Sequence, residues 1–453
     1  MRPPGDPVSS RDAWLRSLIR PDLRPYAERA PLAAASMAAL LQRVDNPHRG
    51  LRCIHIAGSK GKGSTALMIE ALLERNGTRT GTYTSPHLER WTERFRIGGG
   101  EVTREHLDEA LDLLRPHVDA LTLANPGNPP SFFDVLTAAA LWLFKRHRVA
   151  IAIIEAGIGG RYDATNVIEP AVACITSVEL EHADKLGADL ESIAYHKAGI
   201  LKAGALAVLG PLPKAAAGVI QRELQLSGSS SLWCGQDFHF HNERRGGGRH
   251  VTFESGGERI EFILNHPGRR MAENAALALA CVSALPDFRR ARLAHAATAL
   301  ASVELPGRAE VLQTAPWIVV DAAHTPASIT ALAELLDDLP GSERHFSERH
   351  FLVSVSGDKP VALLAPLLDT ATSVTVTCPE PLRSLPAARL AELISNAWPG
   401  LEIHLEPDVP AALSRARSKL KPDALLCAAG STYLAGAVRK LIRRDGGGDE
   451  GDG

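Results

Sequence analysis

A short apolar run that leads through glycines into a helix constrains this chain more than any other feature of its sequence. Cys53–Ala57 has the pattern of a buried β-strand, and Ser64–Arg75 has the pattern of a helix. Glycines let backbone N–H groups approach phosphate oxygens, and the N-terminus of a helix attracts anions. The segment therefore predicts a nucleoside triphosphate site. Its candidate phosphate ligands are Gly58, Lys60, Gly61, Lys62, Gly63 and Ser64.

This loop departs from the strict P-loop sequence at two positions. Gly63 follows Lys62 where serine or threonine is expected, and Ile56 stands where the first glycine is expected. A glycine-rich turn with a solvent-facing lysine is the alternative, and the strand–loop–helix context disfavours it. A second glycine-rich stretch begins at Gly157 but has Tyr162 where a dinucleotide fingerprint needs glycine or alanine. We therefore set oxidoreductases aside.

The first two thirds of the chain alternate short apolar runs with helical stretches. Ala150–Glu155 and Ala171–Thr176 read as further strands, while Phe132–Phe144 and Leu190–Leu201 read as helices. This rhythm predicts a mostly parallel sheet covered on both faces. Phe238–Leu264 instead alternates apolar and polar residues around glycines, which predicts antiparallel hairpins at a sheet edge. Within this stretch, Asn242–His250 is interpreted as a solvated hairpin loop. Helices are expected after it, near Met271–Ser283 and Arg290–Ala301.

A second β/α series occupies the last third of the chain. It predicts a smaller, Rossmann-like C-terminal domain, with the boundary near Ser302–Pro306. Its expected strands are Trp317–Asp321, Phe351–Val355, Ser373–Thr377, Leu401–Leu405 and Ala424–Ala428. The fold class is therefore α/β, with a P-loop ATPase domain at 1–303, a second domain at 304–444 and a disordered tail at 445–453. The near-repeat in Gly341–Phe351 is interpreted as a loop elongation.

Composition excludes several classes of protein. The formal net charge is −2 and no basic stripe follows a helix, so a nucleic-acid partner is not expected. The six cysteines form no CxxC pair, which argues against a structural zinc site. The N-terminus shows no secretory signal, and no run of about 18 apolar residues could span a membrane. We expect a cytoplasmic enzyme with no membrane partner.

Two polar residues at predicted strand ends suggest a metal site. Glu155 ends the most apolar strand, and carboxylates at the carboxyl ends of parallel strands point into the ligand crevice. A salt-bridged strand-end carboxylate is the alternative, but a glycine-rich polar loop follows Glu155 directly. His182 follows the next strand, and its place beside Glu155 in the strand order suggests a second ligand. A hydrogen-bonded histidine explains His182 equally well.

Taken in order, the motifs resemble those of folylpolyglutamate synthase and dihydrofolate synthase, a family of the Mur ligase superfamily. The resemblance runs from about Leu51 to Arg439, and nine motifs in order are far more specific than any one of them. They are HIAGSKGKGS, TSPHLERWTERFRIGG, SFFDVLTAAALWLF, EAGIGGRYDATN, ITSVELEHADKLGADLESIAYHKAGILK, RMAENAALALA, LPGRAE, DAAHTP and AGSTYLAGAVR.

The resemblance implies a cofactor and residue roles for the first domain. ATP phosphates would be held by Lys60–Ser64, and Mg²⁺ by Ser85, Glu155 and His182. Lys197 matches a lysine that the family carries as a carbamate; a plain phosphate-facing ammonium is the alternative. The resemblance also allows for a monovalent cation.

Further roles follow for residues later in the chain. Asn274 and Arg308 would contact ATP, Arg308 from the linker between the domains. Asp321 would anchor the nucleotide from the second domain. His324 and Ser431 would lie near the acyl phosphate and the incoming glutamate.

Some positions depart from the family pattern. The phosphate loop usually reads GTNGKGS, whereas Ser59 and Lys60 stand here, and Glu181 precedes His182 where aspartate is usual. Pro31–Met37 stands where the family carries its pterin loop. A divergent ligase acting on another carboxylate is therefore one alternative, and a nucleotide-driven binding or switch protein is another. A peptidoglycan Mur ligase is disfavoured, because only 57 residues precede Gly58.

The function implied by the resemblance is ATP-dependent ligation of L-glutamate to dihydropteroate or a folate. Lys62 and Mg²⁺ would neutralise charge while the γ-phosphoryl group passes to the acceptor carboxylate, and glutamate would attack the acyl phosphate. The expected catalytic residues are Lys62, His182, Lys197, His324 and Ser431. The expected partners are these small molecules, and the expected oligomeric state is a monomer.

Overall fold

The structure is a computed structural model of the 453-residue chain. It describes residues 10–19, 26–245, 247–285, 295–339, 346–357, 359–381, 383–418 and 420–445. No helix in these ranges is long and apolar enough to cross a membrane.

The larger sheet has eight strands in the order β4-β3-β2-β5-β1-β6-β7-β8. They are β1 Cys53–Ala57, β2 Thr80–Tyr83, β3 Phe95–Ile97, β4 Gly100–Glu101, β5 Ile151–Glu155, β6 Pro170–Ile175, β7 Leu206–Leu209 and β8 Ser230–Trp233. Strands β2, β5, β1, β6, β7 and β8 pair in parallel, and β3 and β4 add an antiparallel edge. The predicted parallel-dominated sheet is confirmed. The prediction that the Glu155 strand lies beside the strand preceding His182 is wrong, because β1 lies between β5 and β6.

Helices cover both faces of this sheet. They are α1 Ser10–Ser17, α2 Tyr26–Arg43, α3 Lys62–Arg75, α4 Arg104–Ala124, α5 Phe132–Arg146, α6 Ala183–Leu186, α7 Leu190–Ala198, α8 Lys214–Ser227, α9 Arg269–Ser283 and α10 Ala296–Ala301. Successive side chains of β1 point to opposite faces of the sheet and so enter two different cores. Ile54 and Ile56 pack with α3 and α9, whereas Cys53 packs with α2, α4 and α5. A strand that is apolar on both sides must lie at the centre of the sheet, and β1 does.

The antiparallel hairpins form a sheet of their own, which corrects the prediction of a sheet edge. It contains β9 Phe238–Arg245, β10 Gly248–Ser255 and β11 Glu258–Leu264. Its apolar face, which includes Phe238, Val251 and Phe253, packs in the same core as α9. Helix α9 contacts strands of both sheets, β6 and β7 in the larger and β9 and β10 in the smaller. Most of Asn242–His250 is also strand, so the predicted loop is much shorter.

The second β/α series forms a six-stranded sheet in the order β12-β13-β17-β14-β15-β16. Its strands are β12 Glu310–Thr314, β13 Trp317–Val320, β14 Arg349–Val353, β15 Ser373–Val376, β16 Glu402–Leu405 and β17 Leu425–Ala429. Its helices are α11 Pro326–Asp337, α12 Ala365–Leu368, α13 Ala387–Ala397, α14 Val409–Arg417 and α15 Thr432–Asp445. All five predicted strands are present within about two residues. The sixth, β12, is antiparallel and was not predicted.

The two large sheets have separate hydrophobic cores, while the domain bounds at 1–303 and 304–444 stay a prediction. The second sheet packs with α11–α15, and the first sheet packs with α2–α10. Asp445 ends α15 and bonds to Arg417, so the described chain is ordered one residue into the proposed tail. The rest of that tail, residues 446–453, lies outside the described residues, as do residues 341–345 of the near-repeat and residues 290–294 of the predicted helix.

Candidate active site

The loop between β1 and α3 leaves almost no room for side chains. A Cβ on Gly58 would lie 1.9 Å from Thr176 Oγ1, and one on Gly61 would lie 2.2 Å from Asn274 Oδ1. Gly61 also has a φ of 86°, in the left-handed region that favours glycine. Helix α3 begins at Lys62, two residues earlier than predicted, and no side chain caps its N-terminus. The helix therefore presents backbone N–H groups to an anion.

A second segment, which follows β6, braces the same loop. The backbone N–H groups of Ser59 and Lys60 donate to Ser177, to its carbonyl oxygen and its Oγ respectively, each at 2.9 Å. Thr176 Oγ1 donates to the Lys60 carbonyl at 2.5 Å. The Lys62 ammonium donates to the Gly58 carbonyl at 2.8 Å, so it curls over the loop it belongs to. The loop is thus built in advance of ligand, and Ser64 lies buried one turn into the helix.

Glu155 and Ser85 lie together at the carboxyl ends of β5 and β2, where the sequence placed them. Glu155 Oε2 accepts the backbone N–H of Ser85 at 2.9 Å. The glycine at position 63 lets α3 approach this carboxylate, because a Cβ there would lie 3.3 Å from Oε2. Burial raises the pKa of Glu155, and the charges of Lys62 and Arg308 oppose that rise.

These groups fit a magnesium ion. A buried carboxylate and a serine beside the phosphate loop supply the hard oxygens that Mg²⁺ prefers, with phosphates and waters completing its shell. No three His, Cys, Asp or Glu side chains of the described ranges converge as a metal cage. His182, the N-cap of α6, makes no described contact with Glu155 or Ser85, and its role as a ligand stays a prediction.

A buried lysine lies near the phosphate loop. Lys197 is 1% exposed, and its ammonium nitrogen lies 3.0 Å from Glu181 Oε1. The other oxygen of Glu181 lies 3.9 Å from the Lys60 ammonium nitrogen. Burial lowers the pKa of Lys197 to about 8, although Glu181 opposes this. Glu181, which precedes His182, is therefore held between two cations.

The loop after β5 is organised by an aspartate that was not predicted as a site residue. Asp163 Oδ2 accepts the N–H groups of Gly157 and Ile158 at 3.1 and 3.0 Å. Its Oδ1 accepts the Thr165 backbone and hydroxyl groups at 3.0 and 2.6 Å. Asp163 therefore shapes the glycine-rich stretch that follows Glu155.

Two predicted residues, Asp321 of the second domain and Arg308 of its linker, lie close enough to interact. Asp321 is buried, and its two oxygens accept the N–H groups of Ala309 and Ala323, each at 2.6 Å. Burial raises its pKa, and the Arg308 charge opposes the rise. The charge of Arg308 acts on both Asp321 and Glu155, one acidic group in each domain. Asp321 itself holds the linker and the loop after β13.

His324 and Ser431 lie at the carboxyl ends of β13 and β17, which are paired strands. The Nδ1 atom of His324 lies 2.7 Å from the Ala322 carbonyl, and burial lowers its pKa to about 4. Its imidazole is therefore neutral near pH 7. The charges of Lys60 and Lys359 both act on it, so His324 lies within electrostatic reach of the phosphate loop. Ser431 is 7% exposed and precedes α15.

Sequence reasoning missed two groups at this interface. Lys359, which follows β14, donates to the His324 carbonyl at 2.7 Å. An aromatic cluster lies beyond Ser85: the ring centroid of Trp91 lies 4.5 Å from that of His87 and 5.3 Å from that of Phe132. Arg94 lies over Phe132. Lys359 could have been found from its position after a predicted strand. The aromatic cluster could have been found from the motif that contains Trp91.

Comparison with known proteins agrees with this architecture. Residues 56–282 match the Mur ligase middle domain, and residues 307–432 match the glutamate ligase domain of Mur ligases. The dihydrofolate synthase/folylpolyglutamate synthase of Mycobacterium tuberculosis is 34% identical over 446 residues, covering 90% of each chain. The chain belongs to the folylpolyglutamate synthase and dihydrofolate synthase family.

Solved structures of this family superpose over nearly the whole chain. A Mycobacterium tuberculosis folylpolyglutamate synthase complexed with ADP is 31% identical, with a TM-score of 0.85, and the match covers 95% of this chain and 97% of that one. Escherichia coli FolC in complex with DHPP and ADP is 26% identical, with a TM-score of 0.80, covering 97% and 100%. The chain spans about half the length of two haloarchaeal relatives, 48% and 50%, whose names pair folylpolyglutamate synthase with dihydropteroate synthase.

Proposed function

We propose that this chain is an ATP-dependent ligase that joins L-glutamate to dihydropteroate, a reduced folate or both. The observation that carries the proposal is the preformed phosphate loop with Glu155 beside it, so close that a Cβ on Gly63 would lie 3.3 Å from the carboxylate oxygen Oε2. The second domain's His324 lies within electrostatic reach of the same loop. Lys60 of the first domain and Lys359 of the second both act on His324. A nucleotide on the phosphate loop would therefore direct its γ-phosphate toward the second domain. The family membership and the ADP complexes of relatives support the same assignment.

The nucleotide would bind across the domain boundary. Lys62 and the open N-terminus of α3 would hold the phosphates, since both offer donors and positive charge. Lys60 would add charge beside them, and Asn274 would contact the loop at Gly61. Arg308 would approach the nucleotide from the linker, because its charge already acts on Glu155 and on Asp321.

Magnesium is part of the proposal. Ser85, Glu155 and, through a change of position, His182 would hold it. When bound, Mg²⁺ supplies Lewis-acid stabilisation of the transferring phosphoryl group. Glu155 would orient Ser85 by accepting its N–H, a contact that already exists at 2.9 Å.

The chain's own residues would then serve two successive steps. Lys62 would stabilise charge as the acceptor carboxylate takes the γ-phosphoryl group. The amine of glutamate would attack the acyl phosphate, and His324, neutral at pH 7, would lie where the amine loses its proton. Ser431 would position the glutamate. Because acyl phosphates hydrolyse, both steps need a site from which water is excluded, and closure of the two domains over the acyl phosphate would create it.

A second candidate is a ligase of the same mechanism with a non-folate acceptor. The observation that favours it is the segment Pro31–Met37, which replaces the family's pterin loop and lies within helix α2. The opposite preference, for the first proposal, comes from the aromatic cluster of His87, Trp91 and Phe132, which suits a flat acceptor such as a pterin.

The test is ligation itself. Purified protein would be incubated with ATP, Mg²⁺, L-glutamate and either dihydropteroate or tetrahydrofolate. A product heavier by one glutamyl residue, with phosphate release that depends on glutamate, is the expected result. Phosphate release without a ligated product would favour the nucleotide-driven switch. A product formed only with other carboxylates would favour the divergent ligase.

A further inference from the structure

Three charged side chains, Glu89, Glu310 and Arg439, meet where the two domains touch; we call them the Arg439 cluster. The Arg439 Nη1 atom lies 2.5 Å from Glu89 Oε1. Its Nε atom lies 2.9 Å from Glu310 Oε2. The side chain of Arg439 is only 8% exposed, that of Glu89 6% and that of Glu310 15%. An ion pair this buried differs from a surface pair, because removing one partner leaves the other charge without compensation.

Glu89 connects the cluster to the loop that carries Ser85. The loop Ser85–Arg90 is held in one shape by Glu93, whose carboxylate accepts the N–H groups of Leu88, Glu89 and Arg90 at 2.7, 3.0 and 2.8 Å. At its other end, Ser85 donates to Glu155. Glu89 and Ser85 therefore belong to one loop that is held by hydrogen bonds at both ends, so a displacement of Glu89 would reach Ser85.

Glu310 connects the cluster to the linker between the domains. Its Oε2 accepts the backbone N–H of Gly307 at 2.8 Å. The Gly307 carbonyl in turn accepts the Ala322 N–H at 2.9 Å. The next residue is Arg308, the linker arginine whose charge acts on Glu155. The cluster thus touches both the loop that carries Ser85 and the linker that carries Arg308.

Close packing surrounds the cluster. A Cβ on Gly436 would lie 2.2 Å from the Leu88 carbonyl oxygen, and one on Gly307 would lie 2.9 Å from Leu88 Cδ1. Gly436 and Arg439 are three residues apart on α15, so they share one face of that helix. On that face, Gly436 leaves room for the Leu88 backbone and Arg439 pairs with the Glu89 carboxylate.

We propose that Arg439 is a positioning residue that holds the Ser85–Arg90 loop against the second domain and so presents Ser85 and Arg308 to the nucleotide together. Arg439 touches neither ATP nor metal; it acts through Glu89 and Glu310. Without it, the loop and the linker move independently, and nucleotide binding must order both. The inference rests on the proposed function only in taking ATP with Mg²⁺ as the ligand.

The test is binding of a non-hydrolysable ATP analogue with Mg²⁺ by calorimetry, together with melting temperature. Arg439→Met and Glu89→Gln should each weaken binding about tenfold, a typical coupling between sites. The double variant should bind no more weakly than Arg439→Met alone, because both changes remove the same contact. In turnover, both should raise the KM for ATP more than they lower kcat.

Arg443→Met is the matched control. Arg443 also lies near Glu310, at 3.2 Å, but it is 49% exposed, and its only described ion pair is with Glu310. We expect its binding to stay within about twofold of the wild-type protein. Gly436→Ala is an independent probe in case Arg439→Met does not fold, since it adds no charge and alanine favours helix. It should weaken binding as Glu89→Gln does.

Lowered melting temperatures with analogue affinity unchanged in Arg439→Met, Glu89→Gln and Gly436→Ala would overturn the inference and leave Arg439 as structural support alone. This outcome differs from failure of the proposed function. Analogue binding needs neither glutamate nor folate, so a wild-type protein that binds but does not ligate would remove the ligase assignment and leave the positioning role standing.

Discussion

The ammonium nitrogen of Lys197 lies 3.0 Å from Glu181 Oε1, in a position where the lysine is 1% exposed. Burial lowers the pKa of this lysine to about 8, so a neutral amine is accessible near physiological pH. A neutral amine reacts with CO₂, whereas an ammonium does not. The carbamate predicted from the family resemblance is therefore chemically reasonable at this site.

We predict that Lys197 forms a carbamate that supports ligation. With ¹³C-labelled bicarbonate, NMR should show a carbamate carbon in the wild-type protein that is missing in Lys197→Gln. Lys202→Gln is the control, because Lys202 is 26% exposed where Lys197 is 1% exposed, and its ammonium nitrogen lies 3.9 Å from Glu169. Identical spectra for the wild-type protein and Lys197→Gln would contradict the carbamate.

The same lysine should make stability depend on pH. Its pKa falls from 10.5 to about 8 on folding, so the folded protein binds fewer protons between those values. The destabilisation from burying the ammonium is complete below about pH 8 and disappears as pH rises toward 10.5. The unfolding free energy of the wild-type protein should therefore rise relative to that of Lys197→Met as pH increases from 8 to 10.5, measured by urea unfolding in buffer free of carbon dioxide, where no carbamate forms. A difference that does not vary with pH would contradict this.

Gly61→Ala should abolish tight nucleotide binding. Its Cβ would collide with Asn274 Oδ1 at 2.2 Å, and its φ of 86° is strained for alanine. Gly77→Ala is a matched control: Gly77 has a φ of 73° but nothing within 4 Å of its Cβ. Both variants should lose about 1–2 kcal/mol of unfolding free energy from backbone strain. Only Gly61→Ala should lose affinity in calorimetry; equal affinities would mean that the Asn274 contact does not shape the loop.

The phosphate loop could be predicted because its evidence is local: an apolar strand, glycines and a helix follow one another in the chain. The relation between Glu155 and His182 could not, because it depends on strand order, and β1 inserts between their strands. Nothing in the residues of β5 or β6 records which strand is their neighbour. The role of Glu310 was hidden for a similar reason, since its partner Arg439 is far away in the sequence.

Short edge strands were also missed for a physical reason. Strand β12, with the sequence EVLQT, is half polar and borders solvent, so it lacks the apolar run that identified β1 and β5. The three-stranded sheet was recognised as hairpins from its alternation, but its location depends on α9, whose apolar face packs against Phe253 and its neighbours. Packing partners of this kind are decided by tertiary structure.

Arg308→Ala should separate ATP hydrolysis from ligation. The linker arginine acts on Glu155 in one domain and on Asp321 in the other, so its loss should leave the domains open over the acyl phosphate. Glutamate ligation should slow by about a hundredfold while phosphate release continues. Arg259→Ala, a change at an exposed arginine of β11, is the control, because the ion pairs described for Arg259 lie within the three-stranded sheet. Unchanged ligation kinetics in Arg308→Ala would contradict the role of the linker.

His324 should contribute to loss of stability in acid. Burial lowers its pKa from 6.5 to about 4, so the unfolded chain binds more protons between those values. The contribution of the neutral imidazole is complete above pH 6.5 and is lost as pH falls toward 4. His324→Asn should therefore lose less unfolding free energy than the wild-type protein between pH 7 and pH 4.5. Parallel losses in the two proteins would contradict a buried neutral His324.

The most direct test of the central claim is the mass of the product formed from dihydropteroate or tetrahydrofolate with ATP, Mg²⁺ and L-glutamate. The account predicts a gain of one glutamyl residue on at least one of the two pterins, with phosphate released in step with ligation. No mass gain on either pterin, from a protein that still binds ATP, would contradict the assignment of a folate acceptor.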